Sequence, residues 1–487
     1  MQIKKGISLF TGLSVLAMGS TLFADQGSVR SAIKTNGQMV YYTKQKSVDN
    51  IQDMFQEGNF HGRLRNNNFY FWYEDSGENT HMVNGIGASA VYNSARFNGV
   101  DFTIGMYGSR AFFNETADTV GTLKPGKDLL SRFDYANTGT KSLYTFGQVN
   151  LSYKIANTKL TVGRQLVETF YTKSNDTKMI PNTFDGVVVE SKDLQDTTVK
   201  LAYLAKQKLR DHKDSHSVLM VGDANSTSAA AAGWSENDDS AMHKGLTYSA
   251  LRDAGKKTDA PLIVLDLQNN SVKNLKVNFS SYIVPELLSQ AMGELNYKIN
   301  MDGFSITPGV RYIEQFDNGA GAVGGASIKV SGLDGYKNPN SLDARMIAAR
   351  VVAKMDDYKL NLGYTNILNK ADLVTPWRGF PTAGYTRSMG IYNWRANTKS
   401  YRLELVKGAN KTGIYKDGFI QTSVLYIDGD QTKGEKDSMY YYFGYVRNLE
   451  SMPQFQYRFR FGYSDYVASS STTSDYIDTR LEFNYTF

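Results

Sequence analysis

The sequence predicts an all-β protein, a transmembrane antiparallel β-barrel of about eighteen strands with short turns at one end and long loops at the other. Three observations predict it. Strand-length segments alternate apolar and polar residues, and the apolar parity is strongly aromatic in a chain with 32 Tyr and 25 Phe but only 9 Pro. The links between segments alternate between tight turns and long polar stretches, as in outer-membrane barrels with short periplasmic turns. Nothing after residue 24 approaches the roughly 18 consecutive apolar residues of a membrane helix, so any crossing has to be made by strands.

The chain opens with Lys4 and Lys5, an apolar run from Ile7 to Ala17, and Leu22-Phe23-Ala24 before Asp25. That order reads as a secretory signal peptide over 1–24. Residues 25–65 then read as an N-terminal periplasmic segment, and 66–487 as a single barrel domain. The expected strands are 66–74, 85–95, 100–108, 144–155, 159–167, 186–190, 197–209, 261–268 and 274–284. They continue as 293–300, 304–316, 345–355, 358–366, 401–407, 419–427, 439–448, 455–466 and 479–487. Short turns fall at Phe97-Asn98-Gly99, Ala156-Asn157-Thr158, Asn269-Asn270-Ser271, Met301-Asp302-Gly303 and Asp356-Asp357. Long links fall at 109–143, 168–185, 210–260, 317–344 and 367–400. The end of the chain is clearest. In "TRLEFNYTF", Leu481, Phe483, Tyr485 and Phe487 take one parity and Arg480, Glu482, Asn484 and Thr486 the other; a strand puts these on opposite faces. Hydrocarbon offers no partner for a free strand edge, so such a sheet must close on itself. At eighteen strands the interior is too wide for side chains to fill, so an aqueous lumen results, and something must narrow it.

Composition removes other classes. The chain has no cysteine, which excludes disulfides and thiolate metal sites. Its formal charge of +6 is dispersed, without the basic stripe of a nucleic-acid surface. No cofactor motif occurs. A barrel enzyme would need a base beside a nucleophile; of five histidines, only His212 and His216 in "DHKDSH" are spaced as a pair, and they read as a solvated pair in a polar loop. Loop 210–260, the longest and least apolar link, reads as surface-exposed.

Strand parity also gives a lumen list: Lys200, Lys298, Arg311, Arg350, Lys354, Lys359, Arg402, Arg458, Arg460 and Arg480. With about 3.3 Å per residue and a tilt near 45°, Arg480 comes roughly 16 Å above the lower rim, with Arg460 a few ångströms lower. Arg311, Arg350, Arg402, Arg458, Arg460 and Arg480 form a candidate basic track. Glu294, Glu404 and Glu482 share the same parity. Two readings stay open: arginines offered to an anionic solute, or arginines knitted to these glutamates within the wall.

The stretch "NDTKMIPNTFDG", 175–186, separates two strands that a hairpin would join in two to five residues. By itself it reads as an exposed loop held by turn chemistry at Asn175-Asp176 and Asp185-Gly186. The surrounding "LTVGRQLVETFYTKSNDTKMIPNTFDG", 160–186, resembles the fifth strand and third external loop of the OprD-type substrate-specific porins of Gram-negative outer membranes. "LRNNNFYFWYED" at 64–75, "AKQKLRDH" at 205–212 and "TPWRGFPTAGYTR" at 375–387 are similar to that family in the same order. The terminal Phe487 is shared with most outer-membrane barrels. The resemblance implies that the loops near 168–185 and 367–400 fold inward. The constriction would then hold Asn175, Asp176, Lys178, Asn182, Asp185, Arg378 and Arg387. Lys178 departs from the family, which more often has arginine there; lysine lacks the planar fork that a bidentate carboxylate contact needs. The implied function is a passive, cofactor-free outer-membrane channel for small hydrophilic solutes that favours anions or carboxylates. Alternatives are a general diffusion porin, an outer-membrane barrel enzyme or a surface structural protein. Expected partners are outer-membrane lipid, lipopolysaccharide and small solutes, with no nucleic acid. Either a monomer or a homotrimer fits the aromatic strand faces.

Overall fold

The computed structural model describes residues 29–73, 81–113, 129–131, 134–135, 138–219, 241–329, 333–466 and 475–487; the expected signal peptide, 1–24, lies outside them. Eighteen main strands form the wall: β1 Asn59–Tyr73, β2 His81–Asn93, β3 Val100–Phe113, β4 Ser142–Ile155, β5 Thr158–Gln165 and β6 Thr183–Ser191. Next come β7 Thr197–Lys208, β8 Leu262–Asn269, β9 Leu275–Val284, β10 Leu288–Tyr297, β11 Ser305–Asp317 and β12 Ala344–Met355. The last six are β13 Tyr358–Ile367, β14 Lys399–Lys407, β15 Phe419–Asp428, β16 Ser438–Asn448, β17 Phe455–Tyr466 and β18 Tyr476–Thr486. Consecutive strands pair antiparallel, and β18 returns to β1 in a register running from Tyr476↔Tyr73 to Thr486↔Arg63. No edge is left unpaired, which is what a sheet in hydrocarbon requires.

The expected parity is present strand by strand. Along β14, Tyr401, Leu403 and Leu405 are exposed while Ser400, Arg402, Glu404 and Val406 are buried. Cross-strand aromatic pairs line the outer face of β16 and β17: Tyr441–Tyr463, Phe443–Phe459 and Tyr445–Tyr457 have ring centroids 6.0–6.3 Å apart. Such pairs add to the burial that lipid supplies.

Two boundaries differ from the sequence expectation. β1 begins at Asn59 rather than 66, because His61, Arg63, Arg65, Asn67 and Phe69 continue the inward parity. Residues 25–65 are therefore not one periplasmic segment. Residues 59–65 belong to the wall, 25–28 lie outside the described residues, and a hairpin of Ser31–Ile33 with Met39–Tyr41 folds back into the lumen. A short helix, α1 Ile51–Gln56, capped by Asn50, leads into β1.

Loop 210–260 is the other difference. Its described part is not an exposed surface loop. Val218, Leu219, Ala241, Leu246 and Leu251 are buried in one apolar cluster with residues of loop 166–182 (loop 3), loop 318–343 (loop 6) and loop 368–398 (loop 7). Loop 4, 209–261, thus supplies part of a second core over the barrel mouth. Trp377 of loop 7 donates its indole N–H to the carbonyl of Val218 at 2.6 Å. The fully buried carboxylate of Asp372 accepts from Ile328 N (3.0 Å), Tyr336 O–H (2.8 Å) and Ala396 N (2.8 Å), which joins loops 6 and 7. A buried carboxylate survives only with such a full set of donors.

His243 of loop 4 is fully buried and bridges the same core. Its Nδ1 accepts from Gly245 N at 3.1 Å, so Nε2 carries the proton and faces the Gly325 carbonyl at 2.9 Å. Burial pushes its pKa down from 6.5 to about 4. A depressed histidine stabilises the fold above its unfolded value, and that stability is lost as pH falls toward the folded value. Acidification from pH 6.5 toward 4 should therefore loosen loop 4 from loop 6. The expected outcome is faster amide exchange of 241–251 at pH 4.5 than at pH 7 after correction for intrinsic rates, an increase that His243→Gln abolishes.

Candidate functional site: a loop-lined constriction

Loop 3 leaves β5 along the inner face of β8 and β9. Phe170 N donates to Asp266 Oδ1 at 2.9 Å, and Tyr171 packs edge-on against Tyr282 at 4.8 Å. There it meets loop 7. Thr172 and Arg378 form a backbone bridge, Lys173 N donates to Trp377 O at 3.0 Å, and Gly379 N donates to Tyr171 O at 2.9 Å. A Cβ at Gly379 would lie 2.0 Å from Phe170 O, so only glycine permits this crossing. Loop 3 then traverses the lumen, and Met179 and Ile180 bury themselves in a second cluster with Phe69, Val83 and Leu129.

Asp176 sits on that traverse, against β1. Its carboxylate is 2.7 Å from Arg65 Nη1 and 3.4 Å from Arg63 Nη1. Asn175 takes a left-handed backbone, φ 42°, and its carbonyl accepts from Arg210 of loop 4 at 3.2 Å. Lys178 points at the face of Phe69, its Nζ 4.0 Å from the ring centroid, and the Arg480 guanidinium carbon lies 5.6 Å from the same ring. Both distances suit cation–π attraction. Asn182 is fully buried, donating to Lys173 O (3.3 Å) and accepting from Gln207 (3.0 Å), so it braces the loop rather than facing a solute. Asp185 is not in the loop at all. β6 begins at Thr183, and Asp185 pairs with Arg164 of β5 at 2.7 Å.

Loop 7 carries the other two expected residues. Arg378, at φ 69°, lines a pocket of ≈ 240 Å³ with Glu168, Lys173, Asp266, Glu294 and Arg311. Arg387 is held among Phe380, Tyr392 and Trp394, 4.4–5.8 Å from their ring centroids. Burial, with Arg480 nearby, pushes its pKa down to about 10, which still leaves it charged at neutral pH.

The six track arginines do not form one wall. Arg311 and Arg350, on β11 and β12, staple loop 7. Arg311 Nη1 donates to Pro381 O (2.7 Å) and Ala383 O (2.8 Å), and Arg350 Nη1 to Gly384 O (2.9 Å). The inward loop brings bare carbonyls into the lumen, and these guanidinium groups satisfy them. Arg402 is paired with Glu404 on its own strand. The remaining three lie on β17 and β18. Arg460 and Arg480 are direct cross-strand partners, not staggered as the rise estimate suggested. Like charges placed opposite repel; Glu482 pairs with Arg460 and Arg458, and Asp478 accepts from Arg480 Nε at 2.8 Å. Arg63 and Arg65 extend this surface onto β1. Sequence reading missed both by starting β1 too late, although the alternation in "HGRLRNNNF" carries them. Where loops 3 and 7 narrow the lumen, six cations (Arg63, Arg65, Lys178, Arg458, Arg460, Arg480) thus face three carboxylates (Asp176, Asp478, Glu482). His212 and His216, expected as solvated, are buried with rings 4.6 Å apart.

Residues 121–306 match the family model described as outer membrane porin, OprD family. No curated protein matches the chain by sequence. Among solved structures, the barrel is similar to Pseudomonas aeruginosa OccK8 (OprE) at 15% identity and TM-score 0.66, covering 89% of this chain and 99% of that one. It is similar to Acinetobacter baumannii OccAB3 at 15% identity and TM-score 0.65, covering 89% and 100%. It is also similar to P. aeruginosa OpdK solved with vanillate, at 12% identity and TM-score 0.65, covering 89% and 99%. These likenesses establish the fold.

Asp176 is the acid that joins loop 3 to two buried wall arginines. Removing one partner of a buried pair costs about 3–5 kcal/mol. Asp176→Ala should loosen loop 3 and raise both unitary conductance and the anion-to-cation permeability ratio, read from single channels under a salt gradient.

Proposed function

We propose that this chain is an outer-membrane porin of the OprD family, a passive channel for small hydrophilic solutes that favours anionic, carboxylate-bearing ones. The observation that carries this reading is the excess of cations over carboxylates on β17, β18, β1 and loop 3 at the level where two loops narrow the lumen. Charged rings of this kind set selectivity in pores generally. Guanidinium suits carboxylates because it stays charged and offers a planar fork of donors. The fold relative OpdK was solved with vanillate, a carboxylate, which agrees with the same solute chemistry. A second reading, a general diffusion porin with weak preference, draws on the wall carboxylates that already pair with Arg402, Arg458, Arg460 and Arg480.

Reversal potentials of single channels in a planar bilayer under a KCl gradient separate the two. The proposed channel gives small steps with an anion-favouring potential, and Arg460→Ala combined with Arg480→Ala shifts that potential toward zero. Large, nearly unselective steps, or a potential that the double substitution leaves unchanged, favour the general porin.

A further inference from the structure

We infer that the N-terminal hairpin, residues 31–41, is a third constriction element. It occupies the lumen on the short-turn side of loop 3, holds Asp176 from below and covers Arg458. The inference rests on the pore reading above. Three of its carbonyls are held by lumen-facing side chains. Ser31 O accepts from Thr486 Oγ1 at 2.9 Å, Ile33 O from Gln456 Nε2 at 2.9 Å, and Thr35 O from Arg458. Ala32 and Ile33 are buried against Gly413, in the turn between β14 and β15. Tyr42, just beyond the hairpin, donates its hydroxyl to Thr412 O in the same turn. At the other end the Tyr41 ring lies 4.1 Å from that of His61, and Arg63 Nη1 lies 3.5 Å from Met39 Sδ. Contacts to β1, β17, β18 and the β14–β15 turn place the hairpin inside the barrel.

Its tip touches the constriction. Gly37 has φ +84°, and a Cβ there would lie 2.4 Å from Asp176 O. The tip therefore closes on loop 3 through a residue that only glycine supplies without strain. Arg458, bonded to Thr35 O and only 1% exposed, is withdrawn from passing solutes by this contact. The open space at this level lies to one side. A cavity of ≈ 610 Å³ runs between Tyr41 and His61 and the polar inner faces of β2–β5, including Asp101, Gln148, Asn150 and Thr161. A solute that passes the arginines on β17 and β18 is thus steered across the lumen to an amide- and hydroxyl-rich face.

The test compares single channels of the full-length chain with those lacking 30–43, both checked for a folded barrel by heat-modifiable mobility. Deletion is expected to raise unitary conductance and to strengthen anion preference, because Arg458 is uncovered. Gly37→Val, which pushes the tip off Asp176, is expected to shift both readouts the same way without shortening the chain. Location is tested separately. Asn36 is exposed at the hairpin tip, and the chain has no cysteine. A bulky charged thiol reagent added to an open Asn36→Cys channel should lower its unitary conductance in a single step that reduction reverses. A folded deletion variant that conducts and selects like wild type overturns the inference, as does an Asn36→Cys channel that the reagent labels without changing its conductance. If the deletion does not fold, Gly37→Val decides by the same readouts. A wild-type barrel without conductance would instead sink the pore reading itself.

Discussion

A closed ladder of eighteen strands pairs each strand with two neighbours and in doing so creates a lumen that its own side chains cannot fill. Every other feature answers that constraint. Whatever narrows the pore must be brought in as extra backbone, and extra backbone arrives with carbonyls that need donors. The wall supplies them from amides and hydroxyls, such as Gln315, Gln456 and Tyr282, and from arginine. Arg311 and Arg350 bind loop 7 through the carbonyls of Pro381, Ala383 and Gly384, Arg63 reaches Asp176 O on loop 3, and Arg458 reaches Thr35 O on the hairpin. A guanidinium has five donors in a fixed fork and never loses its charge. It can hold a carbonyl, pair with a carboxylate and still contribute to the field in the lumen. Lys200 of β7 plays a similar part with a point charge, holding Glu168 O of loop 3 at 3.0 Å and pairing with Glu190 at 3.0 Å.

Inward loops also need support from outside. A loop surrounded by water on both sides would have no reason to keep one path. Loops 3, 4, 6 and 7 solve this by sharing an apolar core, with Trp377, Trp394, Tyr171 and Tyr282 fully buried in it. Asp372 and His243 are its polar rivets. The core sits where β6–β13 meet the external loops, and the basic surface of β17, β18 and β1 lies outside it. The barrel is divided lengthwise into a packed side that carries the loops and a charged side that faces the passage.

The wall was legible in the sequence because lipid acts on every residue of every strand. A one-residue slip would turn a whole aromatic face toward water, so alternation persists to the last residues of β18. The site was only partly legible. Asp176, Lys178 and Arg378 are placed by contacts with segments about one hundred to three hundred residues away in the chain, as Asp176 with Arg65 and Lys178 beside Arg480 on the Phe69 ring, and no local pattern encodes those. Val218, Leu219, Leu246 and Leu251 of loop 4 follow neither a period of two nor one of 3.6, so nothing marks them as core. Arg63 and Arg65 could have been read: extending the inward parity back from Phe69 reaches both. The hairpin had no such signal. Its burial depends on Gln456, Arg458 and Thr486, more than four hundred residues away.

The same wall pairing that argues against free arginines has a transport logic. A channel must bind its solute well enough to admit it and weakly enough to release it. Unpartnered arginines in a confined space would hold a carboxylate too firmly, and directly opposed Arg460 and Arg480 would repel each other in its absence. Glu482 shared by Arg458 and Arg460, and Asp478 beside Arg480, relieve that repulsion and leave the surface with a moderate positive excess. Under the proposed anion preference, a passing carboxylate would exchange one anionic partner for another at little cost in desolvation, because these guanidinium groups are largely buried. The pairs temper the field rather than cancel it, which is the condition under which a basic wall can conduct.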